Sequence, residues 1–246
     1  MIEVMVLCYH AVSPTWNAAL SVTPPALESQ LAYLVRHGWR AVGFREAVLS
    51  PPHPRTLAIT FDDAFGSVKD LALPVLASLG LPATVFVPTA CIEGEQRLAW
   101  PGVDHWNETP FASELRSLSW DDLGCLADLG WEIGSHTRTH PNLTAVNDEE
   151  LMVELAGSRQ EIADRLGCAG DTIAYPYGDF DRRVVDGAER AGYVAAATLS
   201  RHPGLTGLHC WPRVGIYNRD AAWRFRLKVS RSVRDLNAPR LWAARS

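Results

Sequence analysis

The order of apolar runs and amphipathic stretches along this 246-residue chain predicts a (β/α) barrel. Short β-branched or apolar runs alternate with helix-like segments for most of the length, as in parallel strands joined by crossover helices. No glycine-rich phosphate turn follows an early strand, which at this length favours a barrel over an open nucleotide-binding sheet. Polar residues recur at the predicted strand ends: His10, the pair Asp62 and Asp63, His136 and Tyr177. Barrels of this kind gather their chemistry at the C-terminal ends of their strands.

Residues 4–9 are a buried strand. Thr23 before Pro24 and Pro25 marks a helix start, and Leu27, Leu31, Leu34 and Val35 keep helical spacing as far as Gly38. Residues 44–49 are a short amphipathic piece and 56–61 a strand. A helix is expected over 68–79, with Pro74 forcing a kink or a late start. A strand follows at 83–87. Residues 90–118 are irregular and carry Trp100, His105, Trp106 and Phe111, the composition of a lid or binding loop. Then come a helix at 120–129, a strand at 131–136, a helix at 148–166, a strand at 172–175, a helix at 181–191 and a strand at 193–198.

Hydrophobic residues make up 47% and charged residues 21%, enough to bury a sizeable core. Acidic residues outnumber basic ones 28 to 23, a balance that argues against a nucleic-acid partner. Five widely spaced cysteines without a C-x-x-C pair fit a reduced intracellular protein. The opening "MIEVMVLCYHAV" lacks the basic flank and apolar length of an export signal. The expected location is therefore the cytoplasm, with the inner membrane surface as an option. That option rests on residues 219–246, which hold eight basic and two acidic residues interleaved with Trp223, Phe225, Leu227 and Trp242. This basic amphipathic extension, set apart from a catalytic part at 1–218, would suit peripheral contact with an anionic membrane or a polyanion. A terminal helix packed on the barrel is the alternative. The oligomeric state is left open.

Two motifs carry chemistry. In "SHTRTH", His136 and His140 stand four apart and can reach one metal ion, although two solvated histidines on a surface turn would read the same. In "TLAITFDDAF", Asp62 and Asp63 end a core strand, although adjacent carboxylates also cap helices. Taken together, one aspartate and two histidines make a facial ligand set with open positions, and the second aspartate stays free as a base. That is the equipment of a metal-dependent hydrolase.

"TFDDAF", "GSHTRTH" and "AYPYGD", in this order, resemble the motifs of the polysaccharide deacetylases of carbohydrate esterase family 4, the NodB-homology domain. The resemblance covers roughly residues 1–197. It implies a distorted (β/α) barrel of about seven parallel strands and an N-acetylated carbohydrate substrate. It also implies a divalent metal, zinc ahead of cobalt, nickel or iron. By the same match Asp62 is the general base, and Asp63, His136 and His140 are metal ligands. Tyr177, after Pro176 in the Pro-Tyr-Gly turn, would offer its backbone N–H to the oxyanion. The N-terminal Tyr9-His10 is similar to the layout of the poly-N-acetylglucosamine deacetylases, which makes His10 the general acid, with His209 and then His202 as alternatives. Trp100, Trp106 and Pro176 are expected at the sugar. Two positions depart from the pattern. Ala174 stands where many members carry an arginine, and Arg213 could supply that cation. Ala64 replaces the usual glycine, a substitution that costs about 1 kcal/mol or more if φ is positive there. A non-catalytic glycan-binding module, or a C–N hydrolase of a small non-sugar amide, would be the rival functions.

Overall fold

The computed structural model describes residues 2–92, 97–199, 204–231 and 233. His202, Trp242 and the end of the basic extension lie outside the described residues.

Strand β1 (Glu3–Tyr9) leads to the short parallel pair β2 (Ala11–Val12) and β3 (Ser21–Val22), then to helix α1 (Pro24–Arg36). Thr23 caps α1 by accepting the Ala26 N–H at 3.3 Å, and the two prolines occupy the first turn, where their missing N–H groups are no loss. β4 (Arg40–Val42), α2 (Phe44–Leu49) and β5 (Arg55–Phe61) follow. The single helix expected over 68–79 is two pieces, a π turn at Val68–Ala72 and then α3 (Leu73–Ser78). Pro74 lacks the N–H that a regular α-turn needs there, so the preceding turn widens. β6 (Thr84–Val87) runs into the aromatic segment, which folds as 3-10 turns at Asp104–Glu108 and Ala112–Leu115. α4 (Trp120–Asp128) opens on a capping box between Ser119 and Asp122, and β7 (Glu132–Ser135) follows. α5 (Asp148–Leu166) opens on a second box between Asn147 and Glu150 and ends at Gly167, which is left-handed. The chain closes with β8 (Thr172–Ala174), α6 (Arg182–Arg190), β9 (Ala195–Thr198), β10 (Trp211–Pro212), β11 (Val214–Gly215) and α7 (Ala222–Val229).

The main sheet runs β10-β9-β8-β7-β6-β5-β1-β11, with every pair parallel. β1 takes one edge of β5. β4 and β6 share the other, pairing with residues 56–58 and 60–61 respectively. β10 and β11 are one segment broken at Arg213. It leaves β9 and joins β1, and so closes a distorted barrel of seven strand positions. These terminal pairings are too short to leave a periodic trace in sequence, as are β2, β3 and β4.

Strand alternation sorts the side chains into layers. Outward residues such as Leu7, Ile59, Phe61 and Val85 pack against the helices. Inward residues stack along the axis. At the N-terminal end, Glu132 accepts from Thr172 Oγ1 at 2.6 Å and from the Arg45 N–H at 2.8 Å, and α2 plugs the opening with Phe44, Ala47 and Val48. An apolar layer of Val6, Ala58, Phe86, Ala174 and Ala197 sits above. Gly134 belongs to this layer, and a Cβ there would lie 2.6 Å from the Phe86 ring. The next inward positions are Cys8, Thr60, Asp62, His136 and Arg213, at the C-terminal mouth.

The first turns of the C-terminal stretch pack on the barrel. α7 buries Phe225 and Val229 in the main core, with Phe225 edge-on to Tyr33 of α1, and leaves Trp223 and Leu227 exposed. Among the described residues no helix is long and apolar enough to cross a membrane.

Candidate active site

β5 delivers both carboxylates to the mouth by ending just before them. Asp62 still pairs as a strand residue, its N–H on Tyr9 O at 3.0 Å. The chain then turns left-handed at Asp63 (φ 70) and Ala64 (φ 53), so neighbouring side chains that a strand would point apart converge. Both carboxylates are buried, at 2% and 4% exposure. Ala64 thus stands at positive φ, where an alanine costs about 1–2 kcal/mol relative to glycine. Among the described residues the positive-φ non-glycines are Asp63, Ala64, Thr137, His140 and Tyr177, all within the three motifs. Backbone strain of this kind concentrates at functional sites.

Asp63, His136 and His140 form one cluster, their ligand atoms all within 4.8 Å of one another. His136 Nε2 and His140 Nε2 approach Asp63 Oδ1 at 3.4 and 3.3 Å, yet that oxygen has no hydrogen-bond partner although it is buried. Two imidazole nitrogens converging on an unsatisfied carboxylate oxygen suit a shared cation. His136 Nδ1–H donates to Ala174 O at 2.7 Å, which leaves the Nε2 lone pair facing the cluster, the tautomer a metal ligand needs. Burial disfavours an imidazolium at His136, but Asp62 and Asp63 outweigh it and raise its proton affinity. A pocket that draws a proton onto His136 draws a metal cation for the same reason.

Asp62 is held differently. Arg213 Nη1 and Nη2 donate to its two oxygens at 2.6 and 2.7 Å, and Nη1 also reaches Thr60 Oγ1 at 3.0 Å. Burial raises the carboxyl, but the Arg213 guanidinium overcomes it and brings Asp62 down to about 2. The Cys8 thiol donates to Asp62 Oδ2 at 3.4 Å, and burial pushes that thiol up, so it acts here as S–H. His10 adjoins the pair: its ring, the Cys8 sulfur and an Asp62 oxygen have ligand atoms within 4.8 Å of one another. His10 Nδ1 is buried without a partner.

Residues 50–196 match the family described as polysaccharide deacetylase. The chain belongs to the polysaccharide deacetylase family. A Bacillus subtilis protein, YxkH, whose name places it in the same family, is 26% identical over 214 residues, 83% of this chain and 69% of that one. The poly-beta-1,6-N-acetyl-D-glucosamine N-deacetylase of Staphylococcus aureus is 26% identical over 170 residues, 64% of this chain and about half (54%) of the enzyme. In fold, the Streptococcus pyogenes deacetylase PplD, solved with acetate, superposes with a TM-score of 0.75 at 21% identity, covering 93% of this chain and 99% of that one. IcaB from Ammonifex degensii gives 0.73 at 21% identity, covering 93% and 97%.

Within this deacetylase chain not every expected residue meets the cluster. Trp100 stacks on His140 with centroids 4.2 Å apart and planes 19° apart, and at 7% exposure it is a wall rather than an open platform. Trp106 packs edge-on to Trp16 and Phe111, at 5.6 and 5.8 Å, within the aromatic segment. Tyr177 (φ 60, ψ 0) lies edge-on to His140 at 4.8 Å and is 44% exposed, following the buried Pro176. His209 is engaged elsewhere: its Nε2 meets Tyr193 O at 2.7 Å and its Nδ1 meets Glu189 at 3.3 Å. Sequence reasoning missed Cys8 as a partner of Asp62. Its two-residue offset from His10 on the same strand face was the available signal.

Proposed function

We propose that this chain hydrolyses the acetamide of an N-acetylated sugar, within a polysaccharide, a lipid-linked glycan or another glycoconjugate, and releases acetate. The observation that carries this reading is the pairing, at one barrel mouth, of a buried arginine-held carboxylate with a carboxylate–diimidazole cluster. Asp63, His136 and His140 would hold a divalent metal, zinc ahead of cobalt, nickel or iron. Such an ion, when bound, supplies Lewis-acid polarisation and lowers the pKa of water.

The protein's own groups do the rest. Asp62 takes the proton of the attacking water. With its carboxyl held at about 2 it is a weak base, so the two-pronged grip of Arg213 serves aim rather than basicity. His10, beside Asp62, protonates the departing amine. The backbone N–H of Tyr177, in the left-handed turn after Pro176, would donate to the developing oxyanion. The exposed Tyr177 ring gives a sugar ring a surface to stack on, and Trp100 shields His140 from water.

The test is acetate release from N-acetylglucosamine oligomers with added zinc. Asp62→Asn and His136→Ala should each lose about 100-fold or more in turnover. Unchanged turnover in both variants would remove these roles. Tight glycan binding by the parent, with no turnover of any acetamide, would instead favour a binding module.

A further inference from the structure

Two of the three cluster residues, His136 and His140, ride on one tight loop whose backbone is left-handed at Thr137 (φ 68) and again at His140 (φ 62). Such a loop keeps its shape only where its surroundings over-determine it. Every N–H from 137 to 140 is held. Thr137 N–H donates to Ser135 Oγ at 3.0 Å, and His140 N–H to Thr137 Oγ1 at 3.1 Å. The other two go to a single side chain on α5. Glu154 Oε2 accepts from Arg138 N–H at 2.7 Å and Thr139 N–H at 2.9 Å, and Oε1 accepts from Thr139 Oγ1 at 2.6 Å. Glu154 is 8% exposed, so this carboxylate is committed to the loop and to nothing in solvent.

α5 grips the loop at a second point. Arg138 Nε donates to Glu161, two turns further along the same face, at 2.7 Å. Glu161 also accepts from Thr89 Oγ1, which ties in the end of β6. Between the two carboxylates α5 carries Gly157, an unfavourable residue in a helix interior. A Cβ there would lie 2.6 Å from Arg138 Cδ, so the glycine is the seat over which Arg138 crosses the helix. On the far side, Thr89 N–H and Ala90 N–H hold the carbonyls of Thr137 and Arg138 at 3.0 and 2.8 Å.

We infer that Glu154 is a positioning residue: by clamping the Arg138 and Thr139 amides it sets the spacing of His136 and His140, and so the affinity of the site for a divalent metal. The inference rests on the metal reading above. Glu154 touches none of the ligand atoms, and its effect passes through the loop backbone.

The experiment is competitive titration of zinc into the metal-stripped full chain against a chromophoric chelator, with a thermal melt of each variant. Glu154→Ala should bind zinc about 10- to 100-fold more weakly, the range seen when groups that orient metal ligands are lost. Glu154→Gln keeps an oxygen for the two amides and can donate to Thr139 Oγ1, so its affinity should stay within about 3-fold of the parent. Leu155→Ala, on the same helix but packed in the α6-side core, should lower the melting temperature and leave zinc affinity unchanged. Parent-like zinc affinity in Glu154→Ala overturns the clamp alone. Equal weakening in Leu155→Ala and Glu154→Ala also overturns it, because the effect then tracks stability. A parent that takes up no zinc overturns the metal reading and the clamp with it.

Discussion

Replacing Arg213 with methionine removes both charge-assisted bonds to Asp62 and the contact with Thr60, and keeps most of the side-chain volume. Arg213 is 7% and Asp62 2% exposed, so solvent screening gives little relief. Holding Asp62 at about 2, against an ordinary 3.8, corresponds to about 2 kcal/mol of stability at neutral pH. Stranding a buried carboxylate without its partner costs about 3–5 kcal/mol in all. For a chain of this size that is a fall of about 10 °C in melting temperature. The pH dependence has a definite sign. A carboxyl held below its unfolded value stabilises above that value, and the contribution disappears as pH falls through the folded one. The gap between parent and Arg213→Met should therefore be full near neutrality and narrow as pH drops from about 4 toward 2. Urea melts at a series of pH values would read it. Arg213→Lys restores the charge but not the fork, and should recover part of the stability and little of the turnover. An Arg213→Met protein as stable as its parent, or a gap that widens on acidification, would refute the reasoning.

Two further outcomes follow from the mouth. Ala64→Gly relieves about 1–2 kcal/mol of left-handed strain, loses a fully buried methyl worth about 0.8 kcal/mol, and adds about 0.5–1 kcal/mol of unfolded-chain entropy. These nearly cancel, so the melting temperature should move by less than about 4 °C, and a larger change in either direction would contradict that balance. Tyr177→Ala should raise KM for N-acetylglucosamine oligomers by about 2- to 10-fold, the worth of one aromatic contact, with kcat nearly kept; a KM that does not move would place the sugar elsewhere.

The barrel was legible because its strands are continuous apolar runs and its helices carry their caps in sequence. Thr23, Ser119, Asn147 and Asp181 all cap helices in the structure. The split of 68–79 was half visible, since Pro74 announced a fault but not a π turn. The short strands that close the ring were invisible. Two-residue pairings are fixed by what lies beside them rather than by propensity. The cluster of Asp63, His136 and His140 was readable because spacing and strand ends both constrain it. Trp100 and Trp106 looked alike in sequence, and only packing separates the wall of His140 from a partner of Trp16. Glu154 was hidden because a helix glutamate reads as solvated surface, and nothing local shows that a loop folds onto it.

The seam of the barrel explains how the chain dispenses with an arginine at 174. The Ala174 side chain sits in the apolar layer under the mouth, and its contribution to the site is its carbonyl, the acceptor for His136 Nδ1. Any residue small enough for the layer can supply that carbonyl. The cation comes instead from the break between β10 and β11, where the backbone passes from β9 to β1 and neither pairing includes residue 213. At that break the Arg213 N–H still reaches Thr198 O while its guanidinium lies over Phe86 and grips Asp62. Both Asp62 oxygens are then engaged, one by Nη1 and the other by Nη2 and the Cys8 thiol. A second guanidinium from 174 would enter an apolar layer and find its carboxylate already engaged, so the small residue at 174 and the arginine at 213 are two halves of one solution. Closing the ring and holding the Asp62 carboxylate in place are thus the same structural event.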